Sequence, residues 1–87
     1  MIIDYHRKFT KTFSKLPQKI KVKFYERLIL FEKNPFDAIL NNHSVDHTYS
    51  HWRSINITGD YRALYKIQDD EAVLFMKIGT HSELYGK

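Results

Sequence analysis

The chain has 87 residues, of which 43% are hydrophobic and 28% charged, with a formal net charge of +4. That is enough for one hydrophobic core and too little for two, so a single domain spanning residues 1–87 is expected. With no cysteine, a disulfide framework and a thiolate metal site are both excluded. The start, Met1-Ile2-Ile3-Asp4-Tyr5, carries an early acid and no long apolar run. Neither a signal peptide nor a membrane span is expected, which makes a cytoplasmic location the natural reading.

In chain order, Ile2, Ile3 and Tyr5 predict a short first strand. Phe9, Phe13 and Leu16 then recur at helical spacing until Pro17 interrupts them. A second helix follows, with Ile20, Phe24, Leu28 and Phe31 forming an apolar stripe at i, i+4, i+8 and i+11, joined by Tyr25 and Ile29. Asn34-Pro35 is its stop signal. These aromatics are expected in the core. From 36 to 50 the periodicity is lost and the segment reads as a loop beginning with an apolar turn at Ala38-Ile39-Leu40; loops commonly carry binding groups.

Three strands complete the chain. Trp52 to Thr58 alternates, with Ile55 and Ile57 on one face and Trp52, Ser54, Asn56 and Thr58 on the other. Thr58-Gly59-Asp60 is a tight-turn candidate before the strand Tyr61 to Ile67. Gln68-Asp69-Asp70-Glu71 makes the next turn, and Ala72 to Ile78 is mostly apolar, as suits a strand covered on both faces. The expected class is α+β, in the order β-α-α-β-β-β, with two N-terminal helices packed on a mainly antiparallel four-stranded sheet.

Charge is distributed unevenly. Residues 1–33 hold nine Lys/Arg against three acids, a net of +6, while the other 54 residues carry a net of −2. A basic helical region suits a polyanionic partner such as nucleic acid; the plainer alternative is a solvated lysine-rich face.

Candidate chemistry gathers near the C-terminus. His81 follows an apolar strand that ends at Gly79, and Tyr85 stands four residues on, so a helical turn there puts both side chains on one face. Arg62 opens the preceding strand. A lysine inside an apolar strand, Lys77, calls for a cleft or an edge into which its ammonium emerges. His43, His47 and His51 are spaced by four, but in a segment that does not read as helix, so no metal site is expected.

The Gly59-Asp60-Tyr61-Arg62-Ala63-Leu64-Tyr65 and Ile78-Gly79-Thr80-His81-Ser82-Glu83-Leu84-Tyr85-Gly86 blocks, with this order of elements, resemble the RelE/ParE superfamily of bacterial type II toxins, and most nearly its YafQ-like branch. The resemblance implies a ribosome-dependent endoribonuclease that cuts mRNA in the decoding site of the small ribosomal subunit without metal or cofactor, inhibited by a cognate antitoxin. It also leaves a second function open, since ParE-type relatives share the fold and act on DNA gyrase, and a weakened relative can persist as an antitoxin-binding partner alone. The resemblance makes His43, Asp60 and His81 catalytic and sets Arg62, Lys77, Tyr85, Tyr61 and Asn56 in substrate contact. Lys77 stands where the branch has an arginine, Tyr61 where it has a tryptophan, and Asn56 where it has a second histidine. Asparagine cannot shuttle a proton, so His47 and His51 are the nearest imidazoles able to stand in. Metal-free cleavage needs a base for the 2′-OH, cations for the charged phosphorane and an acid for the departing 5′-oxygen. Asp60 beside His81 would orient the ring, and either of the two could be base with the other acid. Tyr85 and Tyr61 could stack on bases.

Overall fold

The stripe of Ile20, Phe24, Leu28 and Phe31 folds as expected into a sixteen-residue helix, Gln18–Lys33, and buries all four residues. The computed structural model describes residues 1–86. Its elements run β1 (Ile2–Tyr5), α1 (Arg7–Ser14), α2 (Gln18–Lys33), a 3₁₀ turn (Ala38–Leu40), β2 (His43–Ser44), β3 (Trp52–Asn56), β4 (Tyr61–Asp69), β5 (Ala72–Thr80) and α3 (His81–Tyr85). The helix starts are locally encoded. His6 caps α1 by accepting the Lys8 N–H at its Nδ1, 3.0 Å away. Pro17 precedes α2, where a missing N–H costs nothing.

The sheet has five strands in the order β1-β5-β4-β3-β2, one more than the sequence pattern offers. The extra strand is β2, two residues that pair antiparallel with Ser54 and Arg53 inside the segment read as a loop. β3, β4 and β5 form the expected antiparallel meander. β1 closes the other side, parallel to β5 with Ile2 opposite Ala72 and Tyr5 opposite Phe75.

One face of the sheet carries the main core, where Phe9 of α1 and Phe24, Leu28 and Phe31 of α2 meet Ile55, Ala63, Tyr65, Val73, Phe75 and Ile78. Phe9, Phe24 and Phe75 form a tight aromatic knot, with centroids 5.5–5.7 Å apart and tilted or edge-on rings, the arrangement their quadrupoles favour. Tyr25 and Ile29 do not join this stripe. They are 54% and 58% exposed, because five and nine residues beyond Ile20 at 100° per residue carry them out of the buried arc. Tyr25 instead lies edge-on to Phe13 at 5.6 Å.

The opposite face is partly covered. Leu64, between Ala63 and Tyr65, points away from the helices and packs with Val45 and Leu84 in a second, smaller cluster joined by Tyr49, Trp52 and Tyr85. Thus the loop after β2 and the terminal α3 both fold onto the face that α1 and α2 leave free. The space between them is the site described next.

Candidate functional site

Strand register decides which side chains share this free face. Asn56 is opposite Arg62 and Ser54 opposite Leu64 across β3 and β4. His43 is opposite Ser54 across β2 and β3, and Gly79 and Lys77 are opposite Arg62 and Leu64 across β4 and β5. With period-two alternation, His43, Asn56, Arg62 and Lys77 therefore stand on the same side of the sheet as Leu64.

α3 adds the rest. A complete capping box starts it, in which the Thr80 hydroxyl accepts the Glu83 N–H at 3.2 Å and Glu83 Oε1 accepts the Thr80 N–H at 2.7 Å. Its first residue is His81, and the helical turn brings the His81 and Tyr85 rings to 4.7 Å, on one face as the four-residue spacing implies. Gly79 lets the helix sit close. A Cβ there would lie 3.1 Å from Glu83 Oε1 and 3.6 Å from Leu84 Cδ2.

Between α3 and the β2 segment lies an open cleft of about 380 Å³ lined by His43, His47, Arg62, His81 and Tyr85, with Asn41, Ser44, Val45 and Thr48 on its wall. Two of the three expected catalytic residues thus meet, with two of the expected substrate contacts. His47 joins them; His51 lies elsewhere, in a groove beside Trp52. His43 Nδ1 is 2.7 Å from the carbonyl oxygen of Asn41. A carbonyl only accepts, so this bond assigns the proton to Nδ1 and leaves Nε2 with its lone pair in the neutral ring. Asn41 itself is held in the left-handed region, φ 46°, which turns the chain from the 3₁₀ turn into β2.

Arg62 is clamped by its own turn. Its Nη1 donates to the carbonyls of Thr58, Gly59 and Tyr61 at 3.1, 3.0 and 3.3 Å. The planar fork is fixed before any ligand arrives. Asn56, opposite, buries its Oδ1 with no hydrogen-bond partner among the described residues, as does the fully buried Ser54 with its Oγ, so the floor of this face keeps free hydrogen-bonding capacity.

Other expected contacts are arranged differently. Asp60 does not present its carboxylate to His81. Among the described residues the single ion pair within 4.0 Å is Lys23–Glu26, and Asp60 reaches His81 through its main-chain carbonyl, which accepts the His81 N–H at 3.1 Å. The Thr58 hydroxyl accepts the Asp60 and Tyr61 N–H groups and so holds the turn that sets the Asp60 carbonyl against the His81 N–H. Tyr61 is not beside Arg62 as a stacking ring. Successive strand residues alternate, and it packs against the main core on the helix-covered face. Lys77 emerges at an edge, as its position in an apolar strand requires, yet it lines a neighbouring groove with Lys8 and Lys11 of α1 rather than the His81 cleft.

Sequence reasoning missed Tyr49. Its ring stacks on Trp52, 4.7 Å and 3° apart, lies 6.4 Å from Tyr85 and has Lys77 Nζ 5.0 Å above it. Its hydroxyl donates to the Leu84 carbonyl at 2.6 Å. An aromatic three residues before a tryptophan in an otherwise polar loop was the available signal. The loop is braced by Asp46, whose carboxylate accepts the His51 N–H at 2.7 Å; that backbone bond, followed by the Ser44 hydroxyl, holds the carboxyl below its ordinary range.

The model of the family described as the ParE toxin of type II toxin-antitoxin systems, parDE, matches residues 3–85 of this chain. The mRNA interferase toxin YafQ of Escherichia coli (strain B / BL21-DE3) is 28% identical over 89 residues, which cover 97% of this chain and 95% of YafQ. The crystal structure of YafQ from E. coli strain BL21(DE3) superposes with a TM-score of 0.78 at 27% identity, over 97% of both chains. The YafQ chain in the crystal structure of the E. coli DinJ-YafQ toxin-antitoxin complex gives 0.71 at 27% identity, over 97% of this chain and 96% of that one.

Proposed function

Because the chain belongs to the ParE toxin family of type II toxin-antitoxin systems, we propose that it acts as an endoribonuclease of the mRNA interferase kind, the activity named for its relative YafQ. The observation that carries this reading is the convergence of His43, Arg62, His81 and Tyr85 on one cleft. In that scheme the free Nε2 of His43 takes the 2′-OH proton, the 2′-oxygen attacks the adjacent phosphorus, and the 5′-oxygen leaves with a proton from the His81 imidazolium. The products are a 2′,3′-cyclic phosphate and a 5′-hydroxyl. Arg62 stabilises the charge that builds on the phosphorane, and Tyr85 stacks on a base splayed from the single strand. Asp60 acts through its backbone, fixing the main chain at His81, instead of as acid or base. In this scheme the step is carried by proton transfer and charge stabilisation from side chains alone.

The cleft is open, which favours a substrate positioned by a larger body. We read that body as the ribosome, with mRNA in the small-subunit decoding site and the basic α1 and α2 surfaces against ribosomal RNA. An antitoxin partner is proposed by likeness to the DinJ-YafQ complex. An acidic, partly apolar segment would cover the cleft by charge complementarity.

Two observations favour a second reading. Asn56 offers no titratable group where the YafQ-like branch has a histidine, and Asp60 keeps its carboxylate out of the cleft, as a toxin of this fold that acts without RNA chemistry could afford. The deciding experiment maps 5′ ends on an mRNA in a purified translation system, with and without ribosomes. Cuts that need ribosomes and bear 2′,3′-cyclic phosphate ends support the nuclease; an intact message with a folded wild-type protein supports the second reading.

A further inference from the structure

Five residues make only one helical turn, too short to hold itself together, since nucleation is costly and several terminal carbonyls have no partner within the helix. α3 must therefore be fixed from outside. The capping box secures its start, Leu84 buries its middle, and Gly86 ends it in the left-handed region, φ 71°. The tie between its C-terminal end and the loop across the cleft is the 2.6 Å bond from the Tyr49 hydroxyl to the Leu84 carbonyl. Tyr49 is itself locked by the stack on Trp52 and by Lys77, whose Nζ lies 3.5 Å from the same hydroxyl. With its ring occupied by Trp52 and Lys77 and its hydroxyl by Leu84, it is placed to hold other groups and not to stack on a substrate base.

We infer that Tyr49 is a positioning residue: it clasps α3 to the β2–β3 loop and so sets where His81 and Tyr85 stand relative to His43. The hydroxyl bond supplies the geometry and the ring supplies the anchor, so the two can be separated. Tyr49→Phe keeps the stack and the cation contact while removing the bond; Tyr49→Ala removes both. The kinetic half of the inference rests on the nuclease reading, whereas the structural half does not.

The test is amide hydrogen exchange on the full chain, followed by single-turnover cleavage of ribosome-bound mRNA. In Tyr49→Phe the Gly86 amide, which donates to Ser82 within α3, should lose about 5- to 10-fold in protection, while Ile57 and Phe75 keep theirs. Cleavage should slow about 10-fold at saturating substrate with an unchanged half-saturation concentration, because a displaced imidazole loses orientation and not binding. Wild-type protection at Gly86 in Tyr49→Phe overturns the clasp, as does an equal loss at Gly86, Ile57 and Phe75, which marks a general structural role. Selective loss at Gly86 with cleavage at the wild-type rate overturns the positioning of His81. If the wild type fails to cut at all, the nuclease reading falls and the exchange result alone decides the clasp.

Discussion

Asn56 and Arg62 face each other directly across β3 and β4, one with a buried carbonyl oxygen that has no partner among the described residues, the other with a guanidinium held by three backbone carbonyls. The pairing sets a preorganised cation beside a polar floor, which suits an anion that brings its own hydrogen-bonding groups.

Arg62→Lys should therefore cost activity out of proportion to stability. Lysine keeps the charge but cannot both hold the turn carbonyls and fork onto a phosphate. A loss of about 1.5–3 kcal/mol in transition-state binding, roughly 10- to 150-fold in single-turnover rate, is expected from one charge-assisted contact. The midpoint of urea unfolding should fall only modestly, through the loosened turn carbonyls.

Gly79→Ala should loosen the site from beneath. The added methyl would meet Glu83 Oε1 at 3.1 Å and the Glu83 Cβ at 3.4 Å, so the Glu83 side chain must give by a few tenths of an ångström and strain its bond to the Thr80 N–H. A destabilisation of about 1–3 kcal/mol is expected by urea titration, the usual range for overpacking, together with slower cleavage.

Phe24→Ala tests the main core. Phe24 is 1% exposed and contacts Phe9 and Phe75 edge-on or tilted. Truncating such a phenylalanine costs about 3–5 kcal/mol, a large share of the roughly 5–15 kcal/mol that holds a domain folded. Circular dichroism in urea should show a sharply lowered midpoint, and Phe24→Leu should recover most of it.

Much of this core is legible in the sequence because it is local. A four-residue apolar spacing, Pro17 and Asn34-Pro35 are enough to delimit α2, and alternation is enough to find β3 and β4. Strand order is different. β1 pairs with β5 across some seventy residues of sequence, and nothing in either segment's pattern names the other. β2 is too short for two-residue periodicity to register, yet it is what carries His43 to the cleft. The site was legible to the extent that strand parity and helical spacing set it: His81 with Tyr85, and Arg62 facing them. What the pattern does not carry is that Asp60 meets His81 through its main-chain carbonyl, that strand parity puts Tyr61 against the main core, and that Tyr49 reaches across the fold to Leu84.

The loop after β2 should respond to acid through Asp46. Its carboxyl titrates below the ordinary value of 3.8 in the folded chain, first because of the His51 backbone N–H and then the Ser44 hydroxyl. A lowered folded-state pKa contributes stability that is fully present above the unfolded value and lost as pH falls through the folded one. Thermal unfolding measured from pH 5 down to pH 2 should therefore show the wild type's advantage over Asp46→Asn shrinking below about pH 4, the ordinary carboxylate range. An advantage that stays constant over that range would mean the carboxylate's charge is irrelevant to the loop.

The most direct test of the cleft as a nuclease site is single-turnover cleavage of ribosome-bound mRNA by wild type, His43→Ala, His81→Ala and the double variant, each checked for folding. General acid and base residues are each worth about 10²–10⁴ in rate, and two that act in one step do not contribute additively. The account predicts a loss of at least 100-fold for each single variant and little further loss in the double variant. Single variants that cut as fast as the wild type, or a folded wild type that leaves the message intact, would contradict it.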